Sequence, residues 1–144
     1  MEGGYFRARK GVFKFFIGKK IKQIKKLKYN NRPTTCDRGH KHPSKVEKEY
    51  CDLLYLRLTH SNCPYTAIYY EKKYSIRCEG HLICTHKPDF TLIYKNGKEV
   101  IHEVKGPVTL KLREFKLVKK LFIANYPDIE YKIVMRTGGI FLFM

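Results

Sequence analysis

Apolar positions along this chain follow two different periods. Phe13, Ile17, Ile21, Ile24 and Leu27 recur every three or four residues with lysines between them. That spacing predicts an amphipathic helix over about 13–28. Pro33 to Pro43 carries no period and reads as a loop. Ser44-Lys45-Val46-Glu47 then supplies the S-x-x-E pattern of a capping box. The helix behind it is expected to run to about Thr59, with Val46, Tyr50, Leu53, Leu54 and Leu58 as its apolar face, and Asn62-Cys63-Pro64 closes it. Residues 65–78 are rich in Tyr and Ile and read as one or two strands, Glu79-Gly80 as a turn, and 82–85 as a short strand.

Residues 89–104 form two apolar runs around Lys95-Asn96-Gly97, the pattern of a β-hairpin. Two registers are open. A two-residue Asn96-Gly97 loop sets Asp89 opposite Val104, and Asp89 then points away from Glu103. A three-residue loop with Gly97 in the left-handed conformation shifts the pairing by one. Asp89 then faces Glu103, Thr91 faces Ile101, and Lys105 shares the face of Glu103. The second register is the expected one. After Gly106-Pro107, a helix is predicted from about Thr109 to Asn125, with Leu112, Phe115, Val118, Leu121 and Phe122 as its buried stripe. Glu130–Met135 is an apolar strand that should pair in parallel after the crossover helix. Gly138-Gly139 is a turn before a last short strand, Ile140–Met144. The order predicts an α/β domain with a mixed β-sheet flanked by helices.

Charge adds a second division. The 144 residues hold 30 Lys+Arg against 13 Asp+Glu, a net charge of +17. Eleven of the basic residues and one acid lie within 1–33. The chain therefore reads as a basic N-terminal helical arm, 1–33, joined to a more balanced domain, 34–144. Such a balance predicts a polyanionic partner and salt-sensitive binding. Lys19, Lys20, Lys22, Lys25, Lys26 and Lys28 of the arm, with Lys111, Arg113 and Lys116 of the second helix, are candidate DNA-backbone contacts. The other reading of each is a solvated helix face. No apolar run approaches the roughly 18 residues of a membrane span. A basic, acid-poor N-terminus also suits a mitochondrial presequence, but the arm is poor in serine; a cytoplasmic location is expected, with the mitochondrial matrix as the alternative.

The five cysteines, Cys36, Cys51, Cys63, Cys78 and Cys84, include no CxxC pair. An odd number without a secretory signal predicts a reducing compartment and mostly buried thiols. Cys36, His40 and His42 with a distant cysteine would be a zinc set. Their C-x3-H-x-H spacing matches no standard pattern, so loop and core roles are the expectation.

The chemistry concentrates in Pro88-Asp89-Phe90 and, thirteen residues after Phe90, Glu103-Val104-Lys105-Gly106. Two carboxylates on adjacent strands suit a hard cation such as Mg²⁺, which keeps open positions for water and a phosphate oxygen. Lys105 can orient or deprotonate a water, or stabilise charge on the phosphate. Taken singly, Asp89 is also a strand-start turn residue, and Glu103 and Lys105 are also a solvent face. Glu47 needs no function beyond capping Ser44. His86, three residues before Asp89, is placed to touch a phosphate or to be an ordinary loop residue. His102 should lie opposite Glu103 and be structural.

Pro88-Asp89…Glu103-Val104-Lys105 resembles the PD-(D/E)xK nuclease superfamily. Taken with Ser44-x-x-Glu47, Lys87-Pro88-Asp89-Phe90, Gly106 and the Lys-rich helix ending in Asn125-Tyr126-Pro127, it is similar to phage-type Holliday-junction resolvases of the endonuclease I kind. The likeness covers about 28–135. It implies a restriction-endonuclease-like core, Glu47, Asp89 and Glu103 as metal ligands, and Lys105 as the catalytic lysine. It also implies Mg²⁺ as cofactor, with Mn²⁺ able to substitute, and a homodimer that cuts branched DNA in phage or mobile-element recombination. The segment before Tyr29 departs from the shared core. The alternatives are another nuclease of the superfamily, in restriction, transposition or repair, and a non-catalytic basic nucleic-acid-binding protein.

Overall fold

A computed structural model describes residues 31–144 in full and, before them, the backbone of two strands, β1 (Val12–Ile17) and β2 (Lys20–Lys25). The two pair antiparallel from Val12↔Lys25 to Ile17↔Lys20. This corrects the helix predicted over 13–28. Its apolar positions are Phe and Ile, with one Leu, and Phe and Ile favour strands; Gly18 costs a helix interior about 1 kcal/mol relative to Ala. Intervals of three and four in so short a segment fit a bent pair of strands as readily as a helical stripe. Lys20, Lys22 and Lys25 fall within β2, whereas Lys19, Lys26 and Lys28 lie outside the described residues.

The predicted loop 33–43 contains a small antiparallel ladder, β3 (Thr34–Thr35) with β4 (Lys41–His42). Ser44 caps α1 (Lys45–Leu58), its Oγ accepting from the Glu47 N–H at 3.2 Å. This cap thus fixes where the helix starts, and the buried stripe Glu47, Tyr50, Cys51 and Leu54 fixes which side faces inward. Two further hairpin partners follow, β5 (Tyr65–Tyr70), then β6 (Tyr74–Cys78) paired with β7 (His81–His86).

The main sheet adds β8 (Phe90–Tyr94), β9 (Glu99–Val104), β10 (Glu130–Thr137) and β11 (Ile140–Phe143), in the order β11-β10-β9-β8-β5. Only β9 and β10 are parallel, as expected of strands joined by a crossover helix. The fold is a mixed α/β domain. Between β8 and β9 the turn has three residues. The Tyr94 N–H donates to Lys98 O at 2.9 Å, and Gly97 has φ +80°, a conformation that L side chains rarely adopt. Thr91 pairs with Ile101 and Phe90 with His102, the predicted register.

Alternation along β8 and β9 builds two cores. On one face Phe90, Leu92 and Val104 pack with Tyr50 and Leu54 of α1 and Val134 of β10. On the other, Ile101 packs with Tyr74 and Ile76 of β6 and with Phe122. Phe122 belongs to α3 (Arg113–Asn125). The single helix predicted from Thr109 is therefore two, α2 (Pro107–Leu110) and α3, with the half-buried Leu112 extended between them (φ −67°, ψ 134°). Pro107 opens the first, its fixed φ suited to a first helical turn.

Candidate functional site

The hairpin register brings Asp89 and Glu103 side by side, and the backbone then locks them. Glu103 Oε2 accepts the Asp89 N–H at 3.0 Å, and Asp89 Oδ2 accepts the Val104 N–H at 2.8 Å. Each carboxylate caps the start or end of the neighbouring strand with one oxygen; the other oxygen of Glu103, Oε1, is taken by Lys105. Lys105, two residues beyond Glu103, extends back over the pair. Its Nζ lies 2.8 Å from Glu103 Oε1 and 3.8 Å from Asp89 Oδ2. Its own N–H is held by Val134 O at 3.0 Å, so the parallel β10 fixes the lysine's backbone.

Glu47 reaches the same neighbourhood from α1. A cleft of ≈340 Å³, lined by Ser44, Glu47, Val104, Lys105, Thr109 and Arg136 among others, joins it to Lys105. This volume suits a small polar group with its water. Glu47 Oε1 is shared by His42 Nδ1 at 3.1 Å and the Tyr70 hydroxyl at 3.2 Å. Only the Ser44 half of the expected capping box is formed, the Glu47 N–H donating to Ser44 Oγ; the Glu47 side chain is held by His42 and Tyr70 instead of by the Ser44 N–H.

Charge is unbalanced here. Two carboxylates face one ammonium, with Glu47 on the same cleft, and the side chains of Glu103 and Asp89 are only 4% and 16% exposed. Burial, and then the neighbouring Glu103, push the Asp89 carboxyl well above its usual range. Burial also raises Glu47, against the lowering effect of His42. For Lys105, burial favours the neutral amine, but Asp89 and Glu103 outweigh it and the ammonium is held above its usual value. The excess is two negative charges if all four ionise, inside a chain of net +17.

Asp89, Glu103 and Lys105 are thus in contact, and Glu47 shares a cleft with Lys105, but the predicted metal set is not assembled: the side-chain oxygens of Glu47, Asp89 and Glu103 do not all lie within 4.8 Å of one another. The predicted DNA contacts are not part of this site: Lys111, Arg113 and Lys116 are exposed around the start of α3. His86 is half-buried, its Nε2 3.1 Å from the Tyr131 hydroxyl, and burial lowers its pKa. Tyr131, on β10, is a neighbour of the acidic pair that the sequence did not single out. Burial, then Glu103 and Asp89, hold its hydroxyl neutral. Its place depends on the parallel β9–β10 pairing, where Tyr131 meets Ile101, and no local motif signals that. His102 lies on the opposite face, as expected, with its Nδ1 2.7 Å from the Tyr50 hydroxyl, and burial depresses its pKa to about 4. Cys36, His40 and His42 are drawn together with Cys51 of α1, their ligand atoms all within 4.8 Å of one another.

Fold and site together define a mixed α/β domain with a carboxylate–lysine cluster at the ends of two antiparallel strands. The chain belongs to the family described as "Protein of unknown function (DUF1064)", which matches residues 25–139. No curated protein and no solved structure matches it. Among the described residues, no helix is long and apolar enough to cross a membrane.

Proposed function

We propose that this protein is a metal-dependent, structure-selective DNA endonuclease with a restriction-endonuclease-like core, acting on four-way junctions as a homodimer during phage or mobile-element recombination. The observation that carries the reading is the convergence of Asp89, Glu103 and Lys105 on one strand end, with Glu47 across the cleft. The donor set suits Mg²⁺. It offers carboxylate oxygens only, and Asp89, Glu103 and Glu47 each have one oxygen fixed by a hydrogen bond. Glu47, Asp89 and Glu103 would hold the ion, with Mn²⁺ able to substitute. Bound there, it lowers the pKa of a coordinated water and neutralises charge on a phosphate.

The chain's own groups account for the rest. Asp89 and Glu103 are fixed by backbone N–H donors, so their geometry is preset before substrate arrives. Lys105 is the cation of the cluster and can donate to a phosphate oxygen as negative charge builds. His42 and Tyr70 hold Glu47 in one orientation. The net charge of +17 supplies non-specific attraction to DNA, and Lys111, Arg113 and Lys116 lie exposed for backbone contacts. A dimer provides the two sites that symmetric cleavage of a junction requires.

The test is cleavage of a four-way junction beside linear duplex, with Mg²⁺ and with EDTA, by the wild type, Asp89→Asn and Glu103→Gln. The expected result is Mg²⁺-dependent junction cleavage that both substitutions abolish. Full cleavage by either variant overturns the site. Equal cutting of duplex replaces the resolvase by a general nuclease, and junction binding without cleavage in any divalent metal leaves a non-catalytic binding protein.

A further inference from the structure

Outside the acidic site, one cluster of chemically active side chains is unexplained by packing. The β3–β4 ladder leaves Cys36 to His40 as its loop. The loop is closed by the Gly39 N–H on Cys36 O at 2.9 Å and the Cys36 N–H on His40 O at 3.0 Å. Gly39 has φ +85°, which permits so tight a reversal. The loop presents Cys36 and His40, the ladder presents His42, and α1 presents Cys51 from the side. Cys51 Sγ lies 3.7 Å from Cys36 Sγ and 3.7 Å from His40 Nδ1.

These are the distances of a coordination polyhedron. Zinc–sulfur bonds of about 2.3 Å and zinc–nitrogen bonds of about 2.0–2.1 Å at tetrahedral angles place S···S at about 3.8 Å and S···N at about 3.6 Å. The same distances also fit van der Waals contact or weak thiol hydrogen bonds, so an orphaned nitrogen on His42 carries the distinction. Two sulfurs 3.7 Å apart are far from a disulfide, which needs about 2.05 Å, and thiols are weak hydrogen-bond partners. Independently, His42 Nε2 is fully buried without any hydrogen-bond partner, in a side chain that is 1% exposed. An orphaned buried nitrogen of this kind is rare. Its Nδ1 is 3.1 Å from Glu47 Oε1. A proton on Nδ1, donated to Glu47, leaves the lone pair of Nε2 free to ligate. That is the carboxylate–histidine–metal arrangement.

We propose that Cys36, His40, His42 and Cys51 form a closed tetrahedral zinc site, in which Glu47 orients the His42 ligand. Zinc clamps the β3–β4 loop to the first turns of α1 and so holds the carboxylate that faces the cleft. Four protein ligands leave no open position, so the ion is structural. The zinc itself is independent of the nuclease reading, and only the link from Glu47 to cleavage rests on it.

The test uses the full chain purified without a metal-affinity tag. One zinc per chain is expected in the wild type, Asp89→Asn and Cys78→Ser, and less than about a tenth of that in Cys51→Ser and His42→Gln. Because a chain lacking a ligand can fail to fold, wild-type protein is also stripped with chelator and titrated with Co²⁺. A thiolate-to-cobalt charge-transfer band and intense tetrahedral d–d absorption should saturate at one equivalent and be bleached by Zn²⁺. Glu47→Gln should retain the cobalt spectrum with zinc affinity about 10–100-fold weaker. Wild-type protein without zinc and without the cobalt–thiolate band overturns the site, as does a Cys36–Cys51 disulfide in freshly isolated protein. Zinc lost from Asp89→Asn but kept in Cys51→Ser would place the ion in the acidic cluster and also overturn it. Unchanged zinc affinity in Glu47→Gln removes the link to Glu47.

Discussion

The acidic cluster at the ends of β8 and β9 and the thiol–imidazole cluster under the start of α1 meet at Glu47, yet they are built on opposite rules. The first is all oxygen, carries its own ammonium from Lys105 and borders a cleft. The second mixes sulfur and nitrogen, has Cys36, His42 and Cys51 buried, and contains no cationic partner. Hard oxygen donors with open positions suit an ion that must also bind water and phosphate. Soft donors that fill all four positions suit an ion that only holds a loop. Glu47 belongs to both: its Oε1 is committed to His42 and Tyr70, and the residue lines the cleft beside Lys105.

The strongest way to break this contrast is at the acidic pair. Asp89→Asn and Glu103→Gln should each lower junction cleavage by at least about 10²-fold, the scale of losing one preorganised electrostatic partner, while zinc content and melting temperature stay near wild type. Loss of folding in both would make the pair structural and erase the distinction. Next in size, Lys105→Met should destabilise the metal-free protein by about 3 kcal/mol, because it leaves Asp89 and Glu103 buried without their cation. Asp89→Asn added to Lys105→Met should recover at least half of that in denaturant unfolding; no recovery would mean that the lysine acts through packing alone.

Glu99 sharpens the comparison from within the same strand and face. It is bound by Lys72 and the Tyr74 hydroxyl, and although burial opposes it, these partners lower its pKa. A depressed carboxylate adds stability above its unfolded pKa, which fades as pH falls through the folded value. Glu99→Gln should therefore cost about 1 kcal/mol at pH 7. Thermal melts should show that difference shrinking once the pH drops below about 4.5, toward the folded value, with cleavage and zinc unaffected. The smallest effect concerns the exposed cations. Replacing Lys111, Arg113 and Lys116 by alanine should leave stability within about 0.5 kcal/mol. Each lost phosphate contact should flatten the salt dependence of DNA binding by about 0.9 in log–log slope, and an unchanged slope would move the DNA path elsewhere.

Local signals were legible where they act locally. The Lys95-Asn96-Gly97 turn marked the hairpin but left two registers open, because a left-handed glycine serves either loop; the pairing of Asp89 with Glu103 favoured the three-residue loop, which the structure has. Ser44 and Glu47 announced the start of α1. The arm was misread because Phe13, Ile17, Ile21, Ile24 and Leu27, at intervals of three and four, fit a helical stripe as readily as two short strands. Cys51 was hidden in plain view: it lies four residues from Glu47 on one helix face, but a cysteine in an apolar stripe reads as core. Tyr131 carried no signal, since only the β9–β10 alignment takes it to the acids.

By itself the sequence determined the Ser44 cap, the hairpin turn and the alternation that sends Glu103 to one face and His102 to the other, because each depends on backbone geometry within a few residues. Tertiary structure alone decided that Glu47 would stand between two clusters, that Cys51 would complete a set begun at Cys36, and that Lys105 would be pinned by β10. Those outcomes depend on how α1 and the parallel strand pack across the sheet, where contacts such as Cys36–Cys51 and Lys105–Val134 join residues distant in the chain and no spacing along it encodes the distance.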